Sequence, residues 1–350
     1  MPLVGRDGAV HVRSGSRPSV YSGLRMSSQT SAEAPHDHTL SDSAWRMLLA
    51  ASALTGALEE DGRSRLFAQG ARGGLEVVPT NSPQGQLAWL PGRGWDCRLP
   101  AGDERSEMLS LYLPVCSATL TRPFTVGHLG QSLDGFIATP SGDSQFVTGD
   151  DNLVHVHRMR ALCDAVVVGA GTVAVDDPQL TTRHVPGPNP LRVVFDPGRR
   201  LGPGFKVFTD QQAPTLYVCG KGRLAPDERH VGAASVAAID EGGAGNEARQ
   251  VMGLLRARGC GRVLVEGGGV TVSAFLEANL LDRLQIAIAP VLIGDGRPAI
   301  RLAPQTHLRD CRRPSYRVYR MGGDVLFDCA LSAPDDTPRR SVQGRVSRII

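Results

Sequence analysis

Two strand–glycine–helix turns constrain this chain more than any other feature. They are "VVVGAGT" at 166–172 and "VLVEGGGVT" at 263–271. An apolar run that breaks at glycines and continues as an amphipathic helix is a β-strand feeding a helix. Glycine lets the backbone approach a neighbour or ligand closely, and the helix start behind it offers unpaired N–H groups and a positive dipole end. One such turn is as readily tight packing as a phosphate site; two in one sheet favour a split dinucleotide or phosphate site. A Rossmann fingerprint fits badly, because the third glycine of G-x-G-x-x-G falls on Val272.

The surrounding pattern predicts a mixed α/β sheet, mostly parallel. Strand-like runs recur at "FTVGHLG", "DAVVVGA", "LRVVFD", "TLYVCG", "ASVAAI", "RVLVEG", "LQIAIAP" and "YRVYRM/DVLFDCAL". Helical stretches lie between several of them. "DDNLVHVHRMRALC" places Val154, Ala161 and Leu162 on one face, and "TVSAFLEANL" spaces Val272, Phe275, Leu276 and Leu280 helically. Continuously apolar strands such as "AVVVG" suit a parallel sheet covered on both faces, whereas "RLQIAIAP" alternates and reads as antiparallel. Four segments follow: a disordered leader at 1–38, in which Met26 offers a second start; a small loop-rich module at 39–120 opening on a helix at 41–60; the α/β domain at 121–331; and a polar tail at 332–350.

At 350 residues, 41% hydrophobic and 21% charged, the chain is globular. A net charge of +3 gives no support for nucleic-acid binding. No apolar run approaches the ~18 residues of a membrane span, and no apolar segment behind Arg6 and Arg13 reads as a secretory signal. The seven cysteines are odd in number and contain no C-x-x-C pair, which points to free thiols in a reducing cytoplasm.

Ligands of open α/β sheets bind at the carboxyl ends of strands. Those ends hold Ser132, Asp134, Ser144, Thr172, Asp176, Asp177, Arg183, Asp196, Arg199, Arg200 and Glu266. The hydroxyls of Thr172, Thr271 and Ser273 either cap helices or bind phosphate. Asp177-Pro178 ends a short helix. Asp176 reads as an acceptor for amide or ribose donors, Arg183 as a bidentate phosphate partner. Adjacent acids without His or further acidic partners do not make a metal site, so no metal is expected.

The stretches "SLDGFIATPSGDSQFVT", "MRALCDAVVVGAGTVAVDDPQLTTR" and "VEGGGVTVSAFLEANLLDRLQIAIAPVLIGDG", in this order, resemble the pyrimidine reductase domain of riboflavin biosynthesis. The resemblance covers about residues 124–331. It implies a dihydrofolate-reductase-like fold, NADPH as cofactor, and reduction of the ribosyl side chain of 5-amino-6-(5-phosphoribosylamino)uracil to ribityl. It implies substrate contacts at Ser144, Arg160, Leu180, Arg183 and Glu266. Cofactor contacts are implied at Gly130, Phe146, Thr172, Asp176 and the run Gly268, Gly269, Val270, Thr271, Val272, Ser273 and Ala274. Glu266 and Arg183 would flank one substrate. A homodimer is implied, paired with help from "RLQIAIAP" and 315–331. The chain departs from the family at Pro197, where a small polar residue usually meets the cofactor; Arg199 or Arg200 would compensate at the adenosine 2′-phosphate. A zinc deaminase, often fused ahead of such reductases, needs H-x-E and P-C-x-x-C, and neither occurs in residues 1–120. That leaves open the undeaminated 2,5-diamino pyrimidine, or a pteridine or dihydrofolate, as alternative substrates. A non-catalytic scaffold is the alternative of another class.

Overall fold

The computed structural model describes residues 38–331 apart from Arg72 and Phe146, so the leader and tail lie outside the described residues. The chain begins with α1 (His38–Asp61), β1 (Arg65–Gln69), β2 (Leu75–Val78), β3 (Leu87–Leu90), β4 (Gly94–Cys97) and α2 (Arg105–Cys116). Residues 65–118 are therefore a four-stranded antiparallel sheet and a helix rather than a loop-rich stretch. Strands this short give little periodicity, and Pro114 hides α2 in the sequence.

There follow β5 (Phe124–Ser132), β6 (Phe136–Ala138), α3 (Asp150–Leu162), β7 (Ala165–Gly169), α4 (Ala170–Asp176), β8 (Leu191–Phe195), α5 (Lys206–Thr209) and β9 (Thr215–Gly220). Next come β10 (His230–Val231), β11 (Ala234–Ile239), α6 (Ala244–Ala257), β12 (Arg262–Val265) and α7 (Gly269–Glu277). The last are β13 (Arg283–Ala289), β14 (Arg297–Pro298), β15 (Ser315–Met321) and β16 (Asp324–Ala330). Among the described residues the main sheet runs β10-β11-β9-β8-β7-β12-β5-β13-β16-β15. From β11 to β13 every pairing is parallel. This is the expected mixed, mostly parallel sheet flanked by helices.

The strand "RLQIAIAP" corrects its own reading. β13 is parallel to β5 on one side and antiparallel to β16 on the other. Its alternation reflects different cover on the two faces, not pairing direction.

Strand pleating divides the side chains between two cores. Val166, Val168, Val194, Tyr217 and Leu264 join one; Ala165, Val167, Val193, Leu216, Val263 and Val265 join the other. Helices α6 and α7 cover the second core with Val251, Leu255, Val272 and Phe275. The first is shared with Trp45, Leu48, Phe67, Trp89 and Tyr112 of the N-terminal segment. Packing thus runs on across the 120/121 boundary, and the described residues from Thr39 onward cluster as one unit.

Helix α3 buries Asn152, His155, His157, Met159 and Arg160 as well as Ala161 and Leu162, while Val154 is only half-buried. The expected apolar face is buried at Ala161 and Leu162 but omits the polar residues, because this helix covers a polar network. Tyr112 donates to His155 Nδ1 at 2.7 Å, and His155 Nε2 reaches Gln285 Oε1 at 3.0 Å. Gln285 in turn donates to Asp328 at 3.1 Å. Burial, and secondarily Arg160, pushes His128 down to about 4, and His155 lies well below its ordinary value. A histidine held neutral in the fold costs stability once the unfolded chain can protonate it. Stability from His128 and His155 is therefore complete above pH ~6.5 and declines towards pH 4. We expect the melting temperature to fall steeply over that window, and His128→Phe to flatten the fall. A wild-type melting temperature constant from pH 6.5 to 4 would contradict this.

Candidate active site

A cleft of about 860 Å³ opens at the carboxyl ends of β5, β7, β8 and β12. Gly130, Gly169, Phe195 and the loop after β12 line it, faced by Ala138, Pro140 and the segment 295–298. Both glycine turns meet here, and they interlock. A Cβ on Gly169 would overlap Thr271 Oγ1, and one on Gly267 (φ +95°) would stand 2.7 Å from Thr172 Oγ1. Each turn's threonine occupies the space left by the other turn's glycine. Thr172 Oγ1 also accepts the amide of Gly268 at 2.8 Å. The Thr172 hydroxyl is a tie between turns, and α4 has no side-chain cap.

Gly269 answers to protein as well: a Cβ there would overlap the Ala299 carbonyl oxygen. Behind it, Gly269 and Val270 open on the cleft with the first amides of α7, which no intrahelical carbonyl reaches. Thr271 and Ala274 also line the cleft. The helical period turns Val272 and Ser273 inward: Val272 lies in the core, and Ser273 Oγ accepts the Arg301 amide at 2.9 Å. The run 268–274 thus meets the cleft at 268–271 and again at Ala274, not throughout.

Ser144 and Asp176 also line the cleft, where the Ser144 hydroxyl donates to Asp176 at 3.3 Å. The cleft walls raise the Asp176 pKa by desolvation, opposed by Ser144 and by the Arg297 charge. Gly130 leaves room for Thr148, whose Cγ2 would lie 2.7 Å from an added Cβ. Phe146 lies outside the described residues.

The other expected substrate residues gather beside the cleft. Arg160 grips Glu266 through two nitrogens at 2.6 and 3.3 Å, and Nη1 donates to the Thr181 carbonyl at 3.2 Å. Both are buried, at 9% and 5% exposure. Glu266 therefore answers to Arg160, and does not stand free across a substrate from Arg183. Arg183 is exposed; its amide donates to His157 Nδ1 at 2.9 Å and its Nη1 to Thr181 Oγ1 at 2.8 Å. Burial, then Arg160, Arg183 and His184, pushes His157 down to about 3, so it stays neutral and accepts that amide. Leu180 corrects expectation. The residue is 1% exposed and its side chain joins the core, with its backbone at φ 55°.

Of the two arginines after β8, only Arg200 lines the cleft. Arg199 pairs with Glu228 through both terminal nitrogens, and Asp196 is buried beneath, accepting from Tyr217 and the amides of Arg200 and Leu201. The sequence reading missed Arg297 and Arg301, exposed cleft residues that form no ion pair among the described residues. Arg297 stands in the two-residue strand β14 and Arg301 just beyond it, in a stretch too short for any sequence periodicity. Among the described residues no His/Cys/Asp/Glu group could hold a metal ion, and no helix is long and apolar enough to cross a membrane. All seven cysteines are free, five of them buried.

Comparison with known proteins places this geometry. Residues 123–325 match the RibD C-terminal domain family. The 2,5-diamino-6-ribosylamino-4(3H)-pyrimidinone 5′-phosphate reductase of Methanothermobacter thermautotrophicus is 34% identical over 215 residues, 59% of this chain and 97% of that protein. The riboflavin biosynthesis protein RibD of Aquifex aeolicus is 31% identical, over 60% of this chain and 58% of its own length. The Thermotoga maritima deaminase/5-amino-6-(5-phosphoribosylamino)uracil reductase structure superposes with a TM-score of 0.52 at 26% identity, over 65% of this chain and 62% of that one.

The interlock makes a sharp mutational contrast. Gly269→Ala must displace the Ala299 carbonyl and is expected to cost about 3 kcal/mol. Gly253→Ala, in α6 with nothing within 4 Å of the added carbon, is expected to stabilise by ~1 kcal/mol. Chemical denaturation of both variants checks this; equal effects would refute the close approach at Gly269.

Proposed function

The chain belongs to the RibD C-terminal domain family, and on that premise we propose that it is an NADPH-dependent reductase of a phosphoribosylamino-pyrimidine, turning the ribosyl side chain into ribityl. The observation that carries this reading is the single cleft in which both glycine turns, Ser144 and Asp176 meet. Its volume and shape suit an extended dinucleotide, and Arg200, Arg297 and Arg301 supply cations without strong internal partners for its phosphates. The residues therefore fit the cofactor. The unbonded amides of Gly269 and Val270, within the run 268–271 that lines the cleft, would hold the diphosphate at the start of α7, Arg200 the 2′-phosphate, and Asp176 the ribose or amide donors.

Bound NADPH would supply hydride, delivered to C1′ of the ring-opened, imine-like sugar. The chain's own part is binding and orientation. Arg183 holds the sugar phosphate from its exposed position. The buried Arg160–Glu266 pair fixes the wall beside it, leaving Glu266 lone pairs for the substrate's hydroxyl or N–H donors. The same proposal includes a homodimer, for which β15 leaves an exposed sheet edge, a cytoplasmic enzyme with reduced thiols, and no nucleic-acid partner.

Two pyrimidines compete as substrate. The sequence reading favours 5-amino-6-(5-phosphoribosylamino)uracil. The undeaminated 2,5-diamino compound gains from the archaeal relative's name and from the missing deaminase motifs in residues 1–120. Purified protein should consume NADPH with one of the two, followed at the nicotinamide absorbance band, and Arg183→Ala should raise KM about 10- to 150-fold with little change in kcat. Arg200→Ala should lose most of the preference for NADPH over NADH. No NADPH consumption with either pyrimidine would overturn the proposal.

A further inference from the structure

Residues 38–118 lie ahead of the segment shared with the family, yet α1 touches three elements that carry or lead to the substrate residues Arg160, Arg183 and Glu266. On the loop 178–190, which bears Arg183, the Trp45 indole N–H donates to the Pro186 carbonyl at 2.9 Å. One residue on, Gly187 is wedged so closely that an added Cβ would stand 2.6 Å from Ala161 Cβ and 3.5 Å from Leu49 Cδ2. On α3, which bears Arg160, Arg158 donates to Ser41 at 3.2 Å and lies 5.8 Å from the Trp45 ring centre. On β12, which leads to Glu266, Arg262 donates to the Ser52 carbonyl at 3.2 Å and to its hydroxyl.

The loop needs holding. Asp177 and Leu180 both adopt left-handed backbone (φ 39° and 55°), a conformation that persists only where surrounding contacts impose it. Its inner side is fixed by Arg160 to the Thr181 carbonyl and by the Arg183 amide to His157. Its outer side is fixed by α1. A purely structural Trp45 would need only its rings in the core. Its N–H instead reaches a carbonyl of an exposed loop at the far end of the sequence separation.

We propose that α1 is an intramolecular brace for the substrate loop, and that Trp45 is a positioning residue that sets where Arg183 stands. This rests on the reading of Arg183 as a substrate-phosphate ligand. Trp45→Phe keeps a ring in the core and deletes the N–H. It should raise KM for the phosphorylated pyrimidine about 3- to 10-fold, the size of one lost hydrogen bond, and leave kcat and NADPH affinity within about twofold. Amide exchange at 181–187, followed by mass spectrometry on the full chain, should quicken by a similar factor. Leu49→Ala removes the second contact and should do the same, which keeps the test decisive if Trp45→Phe does not fold. Variants that melt earlier but leave KM and exchange at 181–187 unchanged would overturn the brace. If the wild type reduces neither pyrimidine, the functional reading fails, and exchange at 181–187 still decides the brace by itself.

Discussion

The reciprocal fit of two glycines and two threonines holds the candidate site together. Gly169 makes room for Thr271 and Gly267 makes room for Thr172, while the Gly268 amide bonds the Thr172 hydroxyl. The β7–α4 and β12–α7 turns therefore cannot move independently. A cleft built on both keeps one shape, and the helix starts keep one direction relative to the sheet. Adding a methyl at either glycine forces the turns apart, since backbone and short side chains at such distances have little room to give. Preorganisation of this kind suits a site that must align two ligands without a strong acid or base.

Charge is arranged on the same frame. The buried cation Arg160 is matched by Glu266 and the Thr181 carbonyl, so it rigidifies the wall and carries little free charge. Among the described residues Arg297 and Arg301 line the cleft without an ion pair, and Arg183 is exposed beside Thr181. An anionic ligand thus meets charge at the surface and fixed dipoles within. The N-terminal segment closes the opposite face of the sheet with Trp45, Leu48 and Tyr112, joining the first core to the polar network under α3.

The strands of the main sheet, the helices after the glycine turns and the family could all be read from sequence. Val, Ile and Leu runs buried on both faces leave an unambiguous signal, and the motif order does the rest. Three things could not be read. β13 alternates like an antiparallel strand because its cover is uneven, and one sequence cannot report its neighbours. Helix α3 shows only part of its buried face in the sequence, because His155, His157 and Arg160 are buried among partners elsewhere in the chain. The motif sets Leu180 against a ligand, whereas the fold buries it in the core, and the motif gives no sign that Arg160 pairs with Glu266. Residue type and spacing do not encode which way a loop side chain turns.

The most direct measurement is a crystal structure of the chain with NADPH bound. The diphosphate is expected at the Gly269 and Val270 amides, the 2′-phosphate beside Arg200, and the nicotinamide end directed towards Ser144 and the Arg160–Glu266 wall. A dinucleotide bound with its diphosphate away from the α7 start, or the cleft left empty at saturating NADPH, would contradict it.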